Sequence, residues 1–168
     1  MFLFKNMRFE IDIGGADIFH ENYTICIANK DSLIKGFKFD DKLVKSLCSR
    51  YGQGIYKYSK SKKGKSFFKI RIYCIVIFYL FKSLNIRGEI SVNICRDFNG
   101  RENDIKKTLK YFLETELKMN LNERIYFGKL SQESNAHRYS FLMRHDNKNQ
   151  MKTYIKLSLE DIEKWLLK

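Results

Sequence analysis

The apolar run from Ile72 to Phe81 constrains the fold of this chain more than any other feature. It contains ten residues without a charge, whereas a helix needs about 18 apolar residues to cross a bilayer. Lys69, Arg71 and Lys82 close the run on its two sides. We therefore predict a core helix over Phe67–Leu84 that is apolar on nearly all sides and covered by other elements. One or two buried strands and a monotopic membrane contact are the alternatives.

A strongly basic segment surrounds this run. Residues 42–88 contain twelve Lys and Arg but no Asp or Glu, and so carry +12 of the net charge of +13. Within it, residues 50–71, the basic loop, combine these charges with tyrosines. Lys and Arg bind phosphates and tyrosine rings stack on bases, so the loop predicts a nucleic-acid partner, either RNA or DNA. The predicted nucleic-acid-binding residues are Arg50, Tyr56, Lys57, Tyr58, Lys60, Lys62, Lys63, Lys65 and Lys69.

A solvated loop whose tyrosines pack on the body of the protein is the alternative interpretation of the same residues. A phosphate-binding loop of the nucleotide-hydrolase type is excluded, although KKGKS at residues 62–66 suggests one. That motif needs a glycine five residues before Gly64, and Ser59 occupies the position.

Length and cysteine usage indicate an ordinary intracellular domain. The 168 residues predict a single domain, 1–168, with residues 1–6 as a loose tail. The four cysteines lie far apart in apolar contexts, which predicts buried thiols in a reducing compartment and not a zinc site. The first residues do not resemble a secretory signal peptide. We therefore expect a cytoplasmic protein without a membrane partner.

The hydrophobic pattern predicts an α/β fold with a mixed sheet. Strands are expected at Arg8–Ile13, Tyr23–Asn29 and Leu33–Phe39, as an antiparallel meander. They are followed by a helix at 40–52, the apolar helix, a strand at 89–98, an amphipathic helix at 101–118 and a strand at 123–130. A strand that follows a helix in this way favours parallel pairing with the opening sheet.

The C-terminal part is predicted to form a hairpin and a helix. Residues 138–144 and 151–157 are strand-like on either side of a polar turn, although the first of them could instead be helical. Ser158, with Asp161 three residues later, is expected to begin the terminal helix.

Asp12 and Asp97 are the candidate catalytic and metal-binding carboxylates. Asp12 lies near the end of the first strand, before Gly14, and Asp97 follows the strand after the long helix. If these strands are parallel neighbours, both carboxylates emerge at one end of the sheet, where ligands of open α/β sheets bind. Adjacent carboxylates repel unless a proton or a cation bridges them, and Mg²⁺ or Mn²⁺ suits such a site. A surface aspartate for Asp12 and a turn or capping aspartate for Asp97 are the alternatives.

The element order β-β-β-α-β-α-β, with IDIGG in the first strand and an Asp ending the fourth, resembles the ribonuclease H-like superfamily of nucleases, integrases and resolvases. The resemblance covers residues 7–130. It implies a ribonuclease H-like fold that cleaves phosphodiesters with Mg²⁺ or Mn²⁺, and it implies that Asp12 and Asp97 are metal ligands.

The family usually supplies further carboxylates from its first core helix and from a C-terminal element. The apolar helix contains no acid, so this chain departs from the family at that position. The preferred completion of the catalytic site is Glu133, Asn135 and His137, with the histidine assisting proton transfer, and Asp146 is the alternative metal ligand. His145 is the alternative histidine.

Three functional hypotheses follow. The first is a metal-dependent nuclease of ribonuclease H-like type. The second is a non-catalytic nucleic-acid or ribonucleoprotein binding module that uses residues 50–71. The third is an interaction subunit whose apolar helix is partly exposed in the free chain and becomes buried against a partner.

Overall fold

A single five-stranded mixed sheet forms the centre of the structure, with its strands in the order β3-β2-β1-β4-β5. The structure is a computed structural model that describes residues 2–167, and the side chains of residues 6–167. The strands are β1 (Phe2–Gly14), β2 (Thr24–Ala28), β3 (Ile34–Lys38), β4 (Ile86–Cys95) and β5 (Ile125–Gly128). β1, β2 and β3 pair antiparallel, whereas β4 pairs parallel with both β1 and β5. The α/β class and the antiparallel meander followed by parallel strands are thus confirmed.

Five α-helices in residues 2–167 connect and cover the strands. They are α1 (Asp41–Gly52), α2 (Lys62–Leu84), α3 (Glu102–Lys110), α4 (Asn135–Arg144) and α5 (Leu159–Glu163). A π-helical turn, Tyr111–Glu116, continues α3. Asp40 caps α1, since its Oδ1 accepts a hydrogen bond from the Leu43 N–H at 2.7 Å. Cys48 on α1 is exposed, so the prediction of buried thiols is wrong for that residue.

Alternation along β1 places α2 and α4 on opposite faces of the sheet. Phe9 and Ile11 are fully buried, and the Phe9 ring lies 5.1 Å from that of Phe81 on α2. Asp12 points to the other face and contacts α4. The hydrophobic core therefore lies between α2 and the sheet, whereas the buried Asp12 lies on the face that α4 covers.

Helix α2 is the predicted core helix. Every residue from Ile72 to Phe78 is at most 3% exposed, which contradicts the hypothesis of a partly exposed apolar helix. The helix begins at Lys62, five residues before the predicted start, because the Ser61 side chain caps it by accepting a hydrogen bond from the Gly64 N–H. Within the described residues, no helix is long and apolar enough to span a membrane.

Strand β1 begins at Phe2 instead of Arg8. Residues 2–4 pair with residues 86–88 of β4, and the register shifts between Phe4 and Met7. Asn6 at this irregularity has a φ of 55°. The predicted loose tail at residues 1–6 is therefore a strand from residue 2 onward, while residue 1 lies outside the described residues.

The predicted C-terminal hairpin is wrong, and the helical alternative for residues 138–144 is confirmed. Residues 135–144 form α4, whose N-terminus is capped by Ser134, and its buried residues Ala136, Ser140 and Met143 recur at helical spacing. In residues 151–157 the only sheet contact described is an isolated bridge between Tyr154 and Gly36. The terminal helix α5 begins with the predicted capping box of Ser158 and Asp161.

Helix α4 approaches β1 closely at Gly14. A Cβ at this position would lie 2.8 Å from the backbone oxygen of Ser140, so α4 would have to shift. We expect Gly14→Ala to lower the free energy of unfolding by about 1–3 kcal/mol in urea titrations. Gly128→Ala is the matched control, since nothing lies within 4 Å of its added Cβ. Equal stabilities of the two variants would contradict this account of the packing of α4.

Candidate nucleic-acid interface

Asp12 and His137 form a direct side-chain pair. His137 Nδ1 lies 2.9 Å from Asp12 Oδ2, and Asp12 Oδ1 accepts a hydrogen bond from the Ile13 N–H at 2.8 Å. Ser140 Oγ lies 3.5 Å from the same Oδ2. The Asp12 side chain is 6% exposed, whereas that of His137 is 50% exposed. The buried carboxylate of Asp12 thus contacts Nδ1 of the half-exposed His137 ring, and the other ring nitrogen, Nε2, does not contact Asp12.

Asp97 is held by a different partner. Its Oδ2 accepts a hydrogen bond of 2.8 Å from the Tyr23 hydroxyl. Burial raises the pKa of the Asp97 carboxyl, and the nearby charges of Asp17 and Asp12 act in the same direction. The hydrogen bond from Tyr23 opposes this shift. Within residues 6–167, Asp97 and Asp12 therefore have different hydrogen-bond partners, Tyr23 and His137.

Glu133 and Asp146, the other two predicted acids, have no hydrogen bond or ion pair with Asp12 or His137 within residues 6–167. Glu133 is exposed and lines a 470 Å³ cavity together with Arg8 and Glu10. Asp146 organises its own loop, because its carboxylate accepts hydrogen bonds from the backbone of Gln150 and Met151 and from the Tyr154 hydroxyl. The Met151 N–H is the main reason that the pKa of Asp146 is lowered. Asp146 therefore has a structural role in this fold.

A metal centre is not preformed in the described part of the chain. No group of three or more His, Cys, Asp or Glu side chains there is arranged to hold a metal ion. Asp12 is bonded to His137, and Asp97 is bonded to Tyr23. Each carboxylate thus has a protein partner in this structure, and the Mg²⁺ or Mn²⁺ site at Asp12 and Asp97 stays a prediction.

The tyrosines of the basic loop pack on the body of the protein. Tyr51 stacks on Phe68 with ring centroids 4.7 Å apart, and the rings of Tyr56 and Tyr58 each lie 5.4 Å from it. Tyr56 is 2% exposed and donates a hydrogen bond of 3.0 Å to Glu163. The stacking role predicted for Tyr56 is therefore wrong, because its ring is inaccessible, and the ring of Tyr58 is half-buried against Phe68.

Three of the predicted basic residues have partners within the chain. Arg50 pairs with Glu163 at 3.3 Å. Lys69 pairs with Asp17 at 2.5 Å, and its side chain is 20% exposed. Lys60 donates to the backbone oxygen of Gly52. Burial raises the pKa of Asp17, but the hydrogen bonds from Lys69 and from the Phe19 N–H, together with the charge of Lys69, outweigh it, so the pKa is lowered overall.

The remaining four predicted lysines surround the N-terminus of α2. We call Lys57, Lys62, Lys63 and Lys65 the basic cluster. All four residues are exposed, and none has an ion pair with another side chain in residues 6–167. The first turn of α2 contains no acid. The cluster therefore presents a positive surface at the end of the helix where the backbone N–H groups also point outward.

Two cavities flank the basic cluster. Lys57 and Lys63 line a cavity of 420 Å³, and Lys62 and Lys65 line one of 310 Å³. The sequence interpretation missed the residues of α3 at the first cavity, namely Asp104, Lys107 and Thr108. These residues belong to the polar face of the predicted 101–118 helix, which the sequence does show. Only the packing of α3 beside α2 in the structure places this face next to the basic cluster.

Comparison of the chain with models of protein families, with curated proteins and with solved structures finds no match. The fold and site therefore define a class only: a mixed α/β protein with a five-stranded sheet and a positively charged surface at the N-terminus of its central helix.

Proposed function

We propose that this protein is a nucleic-acid-binding domain that holds the phosphate backbone with its basic cluster. The observation that carries the proposal is the position of Lys57, Lys62, Lys63 and Lys65, exposed together around the N-terminus of α2. Phosphates bind favourably where Lys side chains and the outward-pointing N–H groups of a helix converge. The basic residues with internal partners, Arg50 and Lys69, then serve to hold the surrounding structure.

The electrostatics of the free protein support a ligand at this surface. The positive end of a helix macrodipole favours acids, and α2 instead carries three lysines in its first four residues, with no acid. Each such lysine lowers helix stability by about 0.3–1 kcal/mol. A bound polyanion would neutralise these three lysines and remove their unfavourable effect on the helix. The lysines thus favour binding of a polyanion although they destabilise the free protein.

Binding of labelled oligonucleotides tests the proposal. We expect fluorescence anisotropy to detect binding of single-stranded DNA, RNA and duplexes in chelator, because backbone contacts need no metal. The affinity should fall by about 50-fold or more between about 50 and 200 mM salt if the whole cluster is engaged. Failure to bind any of these molecules at low salt would contradict the proposal.

A nuclease is the second candidate, favoured by the Asp12–His137 contact. β1 and β4 are parallel neighbours, as the prediction of a shared sheet end requires, and Asp12 and Asp97 lie near the ends of these strands. With Nδ1 at Asp12, the His137 imidazole has Nε2 available to accept or donate a proton. The ribonuclease H-like resemblance supports this candidate through element order.

Cleavage assays separate the two candidates. The oligonucleotides would be incubated with Mg²⁺, Mn²⁺ or chelator, and Asp12→Asn and Asp97→Asn would be compared with the wild type. A nuclease should lose turnover in both variants while it keeps binding. Binding without cleavage in any metal would leave the first candidate alone.

A further inference from the structure

The 420 Å³ cavity beside the basic cluster combines apolar walls with a positive rim. Its volume falls in the range of roughly 300–1,000 Å³ that is typical of sites for small molecules. Its apolar wall residues include Phe67, Ile70 and Leu167, and its exposed lysines are Lys57, Lys63 and Lys107. A ligand that fills this cavity therefore needs an apolar body with negative charge attached to it.

Phe67 lines this cavity, and two cations already lie over its ring. The Arg101 guanidinium lies 4.8 Å from its centroid, and the Lys63 ammonium lies 5.8 Å from it. Ser59, Asp104 and Thr108 add hydroxyl and carboxylate groups to the lining. An aromatic ring beside hydrogen-bonding groups suits a flat heterocycle that has polar edges.

We propose that this cavity accepts one nucleobase of a single-stranded nucleic acid, while the flanking phosphates contact Lys57, Lys63 and Lys107. The inference rests on the proposed nucleic-acid binding and adds the part of the ligand that is recognised. Bases in a duplex are paired and stacked, and removing one from the stack has a free-energy cost of a few kcal/mol. The cavity therefore selects unpaired strands.

The basic cluster and the cavity should make separate contributions to binding. The lysine cluster alone attracts any phosphate backbone, without regard to bases. Stacking of one base in a protein site contributes enough to raise affinity by about tenfold or more. The protein should therefore bind a base-bearing strand more tightly than an abasic strand that carries the same number of phosphates.

Two nucleic-acid strands of equal charge test directly whether the cavity binds a base. The probes are a labelled DNA strand of about twelve nucleotides and an abasic strand of the same length, so both carry the same phosphates. Anisotropy in chelator should show the wild type binding the base-bearing strand about tenfold more tightly than the abasic strand.

Thr108→Trp fills the cavity without a change of charge, and Ser49→Trp is its matched control at an exposed position of α1. We expect Thr108→Trp to lose the preference for the base-bearing strand and to keep its affinity for the abasic strand. Ser49→Trp should keep both affinities. Phe67→Leu, which removes the aromatic face and keeps an apolar side chain, should lower the preference several-fold and provides a second variant.

Equal affinity of the wild type for the two strands would overturn the inference and leave backbone binding intact. A preference that persists in Thr108→Trp and Phe67→Leu would also overturn it, since the base would then be bound elsewhere. Failure of the wild type to bind either strand would instead remove the proposed function, and with it the base site.

Discussion

Replacing the basic cluster by glutamine is expected to weaken nucleic-acid binding by about two orders of magnitude while it leaves the fold intact. The variant carries Lys57→Gln, Lys62→Gln, Lys63→Gln and Lys65→Gln. Each lysine that neutralises a phosphate releases a counterion on binding, so the loss accumulates over the four positions. Stability should stay equal or rise, because three of these charges oppose the macrodipole of α2. Anisotropy at fixed salt and thermal unfolding would measure the two effects.

The matched control removes four positive charges from elsewhere. Its substitutions are Lys118→Gln, Lys129→Gln, Lys148→Gln and Lys152→Gln, at exposed positions outside the two cavities. Both variants have the same net charge, so a general electrostatic attraction would weaken equally in both. Similar losses in the two variants would show that the basic cluster is not the binding surface.

Phe68→Ala is expected to lower the free energy of unfolding by about 3–5 kcal/mol. Phe68 is fully buried and is surrounded by the rings of Tyr51, Tyr56, Tyr58 and Phe19. Its removal leaves a cavity that these rings cannot all close, and it loosens the segment that carries Lys57. Urea unfolding followed by circular dichroism would measure the change.

Phe141→Ala is the control for this prediction. Phe141 is 59% exposed on α4, so the same substitution there should change the free energy of unfolding by no more than about 0.5 kcal/mol. A cost below about 1 kcal/mol for Phe68→Ala would mean that the aromatic cluster does not hold the basic segment to the core.

The strands and the central helix could be predicted because their patterns are strong and local. Alternation marks β1 from Arg8 onward, and the charge-free run marks α2. The predicted start of α2 is too late, because residues 61–66 are lysines, serines and a glycine and give no hydrophobic pattern. Ser61 is nevertheless a good helix cap, and Lys62 is a good helix former. The sequence interpretation therefore places Lys62, Lys63 and Lys65 in a loop, whereas the structure has them in the first turn of α2.

The position of α4 could not be predicted, because its buried face uses small and flexible residues. Ala136, Ser140 and Met143 give a weak hydrophobic period, and Ser140 and Met143 lie where Gly14 and Gly36 leave room for them. The contact between His137 and Asp12 depends on that packing.

The site predictions differ in outcome for a similar reason. The clustering of the lysines is visible in the sequence without knowledge of distant contacts, and their role in binding stays a prediction. It could not show that Glu163 holds Arg50, that Asp17 holds Lys69 or that Asp146 binds its own loop. Those partners are far apart in the chain or lie within an irregular turn, and only the folded structure brings them together.

Salt dependence of binding tests the central claim most directly. One labelled single strand would be titrated with the wild type at several salt concentrations, in chelator. If the four lysines of the basic cluster each neutralise a phosphate, the logarithm of the association constant should fall linearly with the logarithm of salt concentration, with a slope of about −3. A slope near zero, or no binding at low salt, would contradict the claim that this surface binds nucleic acid.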